Sequence, residues 1–360
     1  MQRKVTMDEI AQKAGVSKYA ISKALSGQSG VSEQTRERIV HLAHEMGYFS
    51  QQRHKSNKIE VQTQVGCQVS SFSKRSIMVL MPNIRMQSMD SYYWGRIIDG
   101  IVHELKAHDL SMIIATEHLE DNLLSLINVK ELLGLIVVGT ISSSMLRLLS
   151  KMELPVIMVD HEDPVLPVDT LFVNNFEGAS QLTQYLIDLG HQKLQFVGDI
   201  TFARSFRERF LGFRNTLEEN RLPSMQESSL LYVDSLDLKN TIQQVKDCLT
   251  DIRSSETFPT ALVCANDDIA IAVMQAVLSL HLSVPEDISI TGFDNIDRAK
   301  DAPIPLTTMN VGKELLGMRA VEMLLRRSDN LTKCREKVLL ATDIIYREST
   351  ACAKPLIILT

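Results

Sequence analysis

From Thr6 to Met46 the chain reads TMDEIAQKAGVSKYAISKALSGQSGVSEQTRERIVHLAHEM. Two helical patterns are separated there only by Ala14-Gly15-Val16-Ser17, and each is too short to persist alone in water. Thr6-Met7-Asp8-Glu9 is a capping box, in which the Thr6 hydroxyl accepts an early helix N–H while Glu9 reaches back to the cap. The helix runs through Ile10, Ala11 and Ala14, and Gly15 supplies the left-handed residue that stops it. Val16 plugs the corner, and Ser17 caps a second helix over Lys18 to Leu25 with Ile21, Ala24 and Leu25 facing inward. Ala11 is small enough to let the two helices cross closely at a steep angle, which is helix-turn-helix geometry. Past Gly27 and Gly30, Ser32 caps a third helix whose Ile39, Leu42, Ala43 and Met46 share one face before Gly47 ends it.

The second helix turns Lys18, Tyr19, Ala20, Ser22 and Lys23 outward. Lysine donates to guanine O6 and N7, tyrosine bonds or stacks, and alanine touches a thymine methyl. Ser17 and Ser22, with the helix N-terminus, suit phosphates. Charge agrees with this reading. Residues 1–75 carry 12 Lys+Arg against 6 Asp+Glu, whereas the remainder carries 26 against 38, so the net charge of −6 conceals a basic head on an acidic body.

No apolar run reaches the roughly 18 residues needed to cross a bilayer, and the start lacks the apolar core of a signal peptide. A cytoplasmic protein with no membrane partner is expected. The five cysteines are scattered without a CxxC pair, which argues against a disulfide framework or a zinc site; Cys264, in an apolar run, reads as a buried thiol. No metal and no cofactor are expected.

The stretches TMDEIAQKAGVSKYAISKALSG and VSEQTRERIVHLAHEMGY resemble the lactose/galactose-repressor (LacI/GalR) family of bacterial transcription regulators. By that resemblance Lys18, Tyr19, Ala20 and Lys23 read bases, and Thr6, Ser17, Ser22, Ser32, Thr35 and Tyr48 contact phosphates. One departure follows at once. The family continues Gly-Tyr with Pro-Asn and a hinge helix whose leucine wedges into the minor groove, whereas Gly47-Tyr48 here runs into FSQQRHKSNKIEVQTQVGCQVSSFSKR. That Ser/Gln/Lys-rich stretch reads as a flexible linker.

From Ser76 onward short apolar runs alternate with amphipathic helical stretches, which implies parallel sheets covered on both faces. The expected strands are SIMVLM, LSMIIAT, LGLIVVG, PVIMVD, KLQFVGD, SLLYV, TALVCAN and ISITGFD, with TTMNV and KVLLATDIIYRES as crossover and closing strands. Between them lie helix patterns such as YYWGRIIDGIVHELKAH and DDIAIAVMQAVLSLHL. Ligands in such folds sit beyond the carboxyl ends of strands. Asp160, Asn266, Asp267 and Asp294 stand at such ends and Arg209 opens a helix, a set of acceptors and donors suited to neutral polyols. Tyr92, Tyr93, Trp94, Phe202 and Phe293 are candidate faces for stacking on a sugar ring. An aspartate at a strand end is as often a helix cap as a ligand, so that alternative stays open. The acidic body offers no basic cluster beyond Arg204, Arg207 and Arg209, so a phosphorylated effector stays open but is not favoured.

The resemblance extends through FRERFLGF, CANDDIAIAVM, VPEDISITGFDNI and PLTTMNV, and it assigns Arg209, Asn266 and Asp294, with Asp160, to effector binding. It implies an α/β fold: an N-terminal three-helix helix-turn-helix DNA-binding domain and a periplasmic-binding-protein-like body of two doubly wound α/β subdomains. The expected division is residues 1–49 for the DNA-binding domain, 50–75 for the linker, 76–350 for the effector-binding and dimerisation domain and 351–360 for a tail. The expected function is a DNA-binding regulator, a repressor of carbohydrate-utilisation genes under allosteric control by a small sugar. Its partners are then double-stranded DNA with a pseudo-palindromic operator, the effector, and a second copy of the chain. ACAKPLIILT is too short for a tetramerising coil. A transport-type sugar-binding protein shares the body fold but predicts an export signal and no head. An enzyme is not expected: GKEL at Gly312 lacks the rest of a phosphate loop, and His41, His44, His191 and His281 lack metal spacing or an obvious nucleophile.

Overall fold

The computed structural model describes residues 76–82, 91–115, 132–164, 166–223, 229–235, 237–329 and 334–354, and in the head residues 11, 13, 14, 16, 17 and 35. The chain divides into two units, Met1–Val69 and Ser70–Thr360.

In the first unit Ala11, Lys13 and Ala14 are helical and both alanines are buried. The Val16 N–H donates to the Ala11 carbonyl at 3.2 Å, the six-to-one bond that closes a helix in a Schellman stop. Ser17 lies exposed just beyond that stop, and Thr35 is helical and half-buried. The other DNA-facing candidates (Thr6, Lys18, Tyr19, Ala20, Ser22, Lys23, Ser32 and Tyr48) lie outside the described residues, as does the linker over 50–75.

The second unit holds two sheets. The first runs in the order β10-β5-β4-β3-β1-β2, where β1 is Ser76–Leu80, β2 Ser111–Ala115, β3 Leu132–Val138, β4 Val156–Val159, β5 Asp169–Val173 and β10 Lys337–Leu340. All of its pairings are parallel. The second runs β11-β9-β8-β7-β6, where β6 is Leu194–Val197, β7 Ala261–Cys264, β8 Ser289–Asp294, β9 Thr307–Asn310 and β11 Asp343–Ile345. Here β6 to β9 are parallel and β11 closes the edge antiparallel to β9. The KVLLATDIIYRES stretch therefore finishes both sheets, one strand in each.

The described helices are α1 (Trp94–Ala107), α2 (Ser143–Leu149), α3 (Asn175–Asp188), α4 (Arg204–Glu219), α5 (Leu238–Asp251), α6 (Asp267–Ser279) and α7 (Lys313–Asp329). Among the described residues none is long and apolar enough to cross a membrane. Strands such as Val156–Val159 and Ala261–Cys264 are buried at every position, because parallel strands covered on both faces have no solvent side to alternate toward.

Seven of the eight expected body strands form. The eighth does not: Ser229–Tyr232, within SLLYV, is a 3-10 turn. Leu230 and Val233 are fully buried while Tyr232 is 60% exposed, a spacing of three that matches a 3-10 helix and contradicts the two-residue alternation of a half-buried strand. It still lies along the edge of β6, where Leu230 accepts a bond from the Gly198 N–H at 2.9 Å. Conversely β5 formed without being foreseen. It opens on Asp169, a buried acid that reads as a loop residue until its partner is seen: Arg327, from the end of α7, grips both carboxylate oxygens at 2.7 and 2.5 Å.

The chain passes between the sheets three times, from β5 into α3, from β9 into α7 and from β10 into β11. Two of these passages are bonded to each other, the Asn174 N–H donating to the Leu340 carbonyl at 2.8 Å. The core is continuous across them, since Phe293, Met309 and Val311 of the second half pack in one cluster with Ile97, Ile157 and Leu316 of the first. The segment 351–353 also belongs to the second half: Ala351 N–H donates to Ser289 Oγ at 3.1 Å and Ala353 N–H to Leu189 O at 2.9 Å.

Helices α1 and α7 cross with their backbones in contact at two glycines. A Cβ on Gly317 would lie 2.1 Å from the Ile97 carbonyl oxygen, and one on Gly100 would lie 2.0 Å from that of Glu314. Helix propensity alone makes Gly→Ala favourable by about 1 kcal/mol. We expect Gly317→Ala to reverse that sign and lower stability by about 1–3 kcal/mol, the cost of overpacking against an atom that cannot yield. The midpoint of urea unfolding measures it, and a stabilised variant would refute the close crossing.

Candidate effector site

Three strand ends and one helix converge on a cavity of about 610 Å³ between the two halves of the body. Tyr93, Trp94, Thr140, Asp160 and Glu162 line it from the first half, and Phe202, Phe206, Arg209, Asn266 and Asp294 from the second. The four residues expected to bind an effector all reach this one cavity.

Arg209 is the anchor. Placed one turn into α4, it is buried with only 3% of its surface exposed. Its Nε donates to Asn175 Oδ1 at 2.9 Å, its Nη1 to the Ala265 carbonyl at 2.6 Å and its Nη2 to Asp294 Oδ1 at 2.9 Å. The guanidinium lies 3.8 Å from the centre of the Phe293 ring. Phe293 itself is 1% exposed, so its expected role as a stacking face for sugar is corrected: it is the floor beneath Arg209. Tyr92, Tyr93, Trp94 and Phe202 do line the cavity.

Asp294 ends β8 with φ +105° and Asn295 follows at +48°, a left-handed pair that asparagine and aspartate tolerate better than most residues. Lys313, the first residue of α7, holds this turn from behind. Its Nζ donates to the carbonyls of Asp294 at 2.6 Å, Asn295 at 3.2 Å and Val311 at 3.4 Å. Burial pushes the Lys313 pKa down and that of Asp294 up, the latter against the pull of Arg209 and Lys313. The lysine of GKEL is thus a brace between a crossing strand and a site residue.

Asn266 caps α6, its Oδ1 accepting the Ile269 N–H at 2.9 Å. The cap reading and the cavity position both hold, because the cap engages only the amide oxygen and the amide N–H donors are a separate resource for a ligand. Its neighbour Asp267 is structural. Fully buried, it accepts from the Thr308 hydroxyl at 2.5 Å and the Ile296 N–H at 2.8 Å. Gly292 makes room for it, since a Cβ there would come within 2.2 Å of Asp267 Oδ1. Burial, with help from the Asp294 charge, raises the Asp267 pKa to about 8.

Asp160 follows β4 at φ +54°. By its own surface it is half-buried, yet it lies deep among the cavity walls. That desolvation raises its pKa to about 7, more than the nearby Arg209 charge can pull it down. His191, by contrast, is no base in waiting: it is buried away from the cavity, its Nε2 donating to Ala351 O at 3.0 Å while Nδ1 accepts from the Thr260 hydroxyl at 2.9 Å.

Three contributors escaped the sequence reading. Asn175 stands 34 residues before Arg209 and Lys313 stands 19 after Asp294, whereas Phe206 lies one turn before Arg209 on the same helix. The signals on offer were that helical spacing and the apolar company of a lysine at a strand-to-helix crossing.

Comparison with known proteins accounts for both parts of the chain. Residues 6–51 match the family described as Bacterial regulatory proteins, lacI family, and residues 183–350 match the Periplasmic binding protein-like domain. The chain belongs to the lacI family of bacterial regulatory proteins. It is 26% identical over 349 residues to the ribose operon repressor of Haemophilus influenzae, covering 96% of this chain and 98% of the relative. In fold this lacI-family protein is similar to a transcriptional regulator CelR–cellobiose complex, with a TM-score of 0.67 and 20% identity over 96% of this chain and all of that one. It is likewise similar to the lac repressor dimer bound to operator and an anti-inducer, with a TM-score of 0.63 and 22% identity over 97% of this chain and all of that one.

Two outcomes follow from the site geometry. Arg209→Met strands the buried Asp294 carboxylate, so the body should lose about 3–5 kcal/mol in chemical denaturation. Adding Asp294→Asn to that variant should recover part of the loss; no recovery would mean the pair is not coupled. The second concerns pH. Asp160 and Asp267 bind protons more tightly folded than unfolded, so the stability these two groups contribute is fully present below about pH 4, the unfolded carboxylate range, and is lost as pH rises to about 7 and 8. Thermal unfolding should therefore show a midpoint that falls from about pH 5 to about pH 8, and Asp160→Asn should remove the part of that fall that ends near pH 7.

Proposed function

We propose that this lacI-family protein is a sequence-specific DNA-binding repressor of carbohydrate-utilisation genes, switched by a small hydroxyl-rich effector in the body cavity. The observation that carries the reading is the pairing of a lacI-family head with a periplasmic-binding-protein-like body that gathers Arg209, Asn266, Asp294 and Asp160 around one cavity. The relatives are transcriptional repressors, which supports a regulator and not an enzyme.

In this reading Lys18, Tyr19, Ala20 and Lys23 read base edges, while Thr6, Ser17, Ser22, Ser32, Thr35 and Tyr48 hold phosphates. A homodimer sets two recognition helices about one DNA turn apart, so the operator is a pseudo-palindrome. Such a protein works in the cytoplasm, where the DNA is. The domain limits are those expected from the sequence, with 1–49 for reading DNA, 50–75 as linker and 76–350 for effector binding and dimerisation.

Control works by linkage. An effector that binds the DNA-competent and incompetent states with different affinity must shift their balance. The cavity supports this because its two walls belong to different halves of the body and charged side chains bridge them. Arg96 of α1 meets Asp297 at 2.9 Å, and Arg204 of α4 is paired with Glu162. A ligand that changes the separation of the walls must make or break these pairs. The alternative of a transport-type binding protein explains the body but leaves the lacI-type head unused.

The test is footprinting of the intact protein on genomic fragments over a range of salt. We expect discrete pseudo-palindromic footprints, lost in Lys18→Ala/Lys23→Ala while the unfolding midpoint of the body stays put. Equal binding to every fragment would remove the repressor reading. For the cavity, a saturating sugar at about 100 times its dissociation constant should add roughly 2.7 kcal/mol of stability, and Arg209→Ala should abolish that gain.

A further inference from the structure

We propose that the cavity selects an uncharged hydroxyl-rich ligand and rejects its phosphorylated counterpart, because each cavity-lining arginine among the described residues is already matched to a carboxylate. This rests on the effector reading given above and deepens it by naming the ligand class.

Clusters of arginine near a sugar pocket ordinarily suggest a phosphate. Arg204, Arg207 and Arg209 invite that suggestion from the sequence, and the structure answers it residue by residue. Arg209 Nη2 is bonded to Asp294 at 2.9 Å, with its Nε and Nη1 on Asn175 and Ala265. Arg298 Nη1 is bonded to Asp268 at 2.9 Å. Arg204 lies between two carboxylates, its Nε on Glu208 at 2.6 Å and its Nη1 on Glu162, which Lys337 also grips at 2.7 Å. Arg207 is exposed and is not part of the lining.

Against these three arginines the lining sets five acids, Asp160, Glu162, Asp267, Asp268 and Asp294, of which Asp267, its pKa raised to about 8 by burial, adds no full charge at neutral pH. Asp160 has no ion-pair partner among the described residues, and it faces the same space as Asp294. A phosphate entering here meets carboxylates it cannot bond and guanidinium charges already opposed by them. A hydroxyl meets what it needs, since it can donate to the Asp160 carboxylate and accept from the Asn266 amide. The aromatic walls complete the match: Tyr93 and Trp94 pack edge to face at 4.9 Å on one side, and Phe202 and Phe206 lie 5.1 Å apart on the other. Such rings offer apolar surface to C–H faces without demanding charge.

The experiment uses the full-length protein and matched pairs of a neutral sugar and its phosphate monoester, ribose with ribose 5-phosphate and glucose with glucose 6-phosphate among them. Binding is read by calorimetry and by shift of the unfolding midpoint. The neutral member of a binding pair should outcompete its phosphate by about 100-fold or more, the scale of like-charge juxtaposition. Glu162→Gln, which removes one acid from the lining and leaves Arg204 with Glu208 alone, should narrow that ratio by about tenfold if charge sets it. A ratio unchanged in Glu162→Gln would assign the selection to shape and overturn the charge argument. Equal or tighter binding of the phosphate would overturn the ligand class while leaving the effector cavity in place. Failure of every pair, with DNA footprints intact, would instead remove the sugar-effector reading and this inference with it.

Discussion

A buried guanidinium facing a buried carboxylate organises the body of this protein. Arg209 and Asp294 come from α4 and the end of β8, and neither could stay charged in the interior without the other. The requirement propagates outward. Arginine must also satisfy its remaining donors, so Asn175 at the start of α3 and the carbonyl of Ala265 at the end of β7 are drawn to it. The Phe293 ring closes the space below, and Lys313 ties down the carbonyls of the turn that presents Asp294. A single ion pair thus fixes four segments at the point where a ligand would touch them. Buried ion pairs of this kind contribute little net stability but penalise every arrangement that separates them, which is what a binding site needs from its walls.

The same residues stand beside the passages between the two halves. Asn175 begins the helix entered from β5, and Lys313 begins the helix entered from β9. A shift of the halves therefore cannot leave the cavity untouched, since Asn175 and Lys313 would have to move or surrender bonds to the site. The α1–α7 crossing works in the opposite sense. Backbones in contact at Gly100 and Gly317 leave no slack between these two helices of the first half. Charged pairs such as Arg96–Asp297 join the two halves beside the same cavity.

Much of the fold was legible because parallel strands buried on both faces advertise themselves as unbroken apolar runs. The limits of that signal are equally physical. SLLYV has the composition of a strand, yet the spacing of Leu230 and Val233 on one buried side is that of a tight helix, and composition does not reveal which side faces in. DTLFV hides its strand behind an acid whose partner, Arg327, is 158 residues away. The candidate site shows the same division. Asp160, Asn266 and Asp294 are marked by their position at strand ends, a rule of topology that survives without coordinates. Asn175 carries no mark and Lys313 only its apolar company, because their role is to bond other residues and not to meet a ligand.

What the sequence determined by itself was the place of seven body strands, the class of each half of the chain, and which polar groups would stand at the mouths of the sheets. Those follow from local spacing, caps and apolar runs, which a chain displays one turn or one strand at a time. Only the tertiary structure decided that the arginines of the cavity are already answered by acids. Charge matching depends on distances between residues remote in the chain, where Arg209 and Asp294 are 85 residues apart, and no local pattern encodes such a distance.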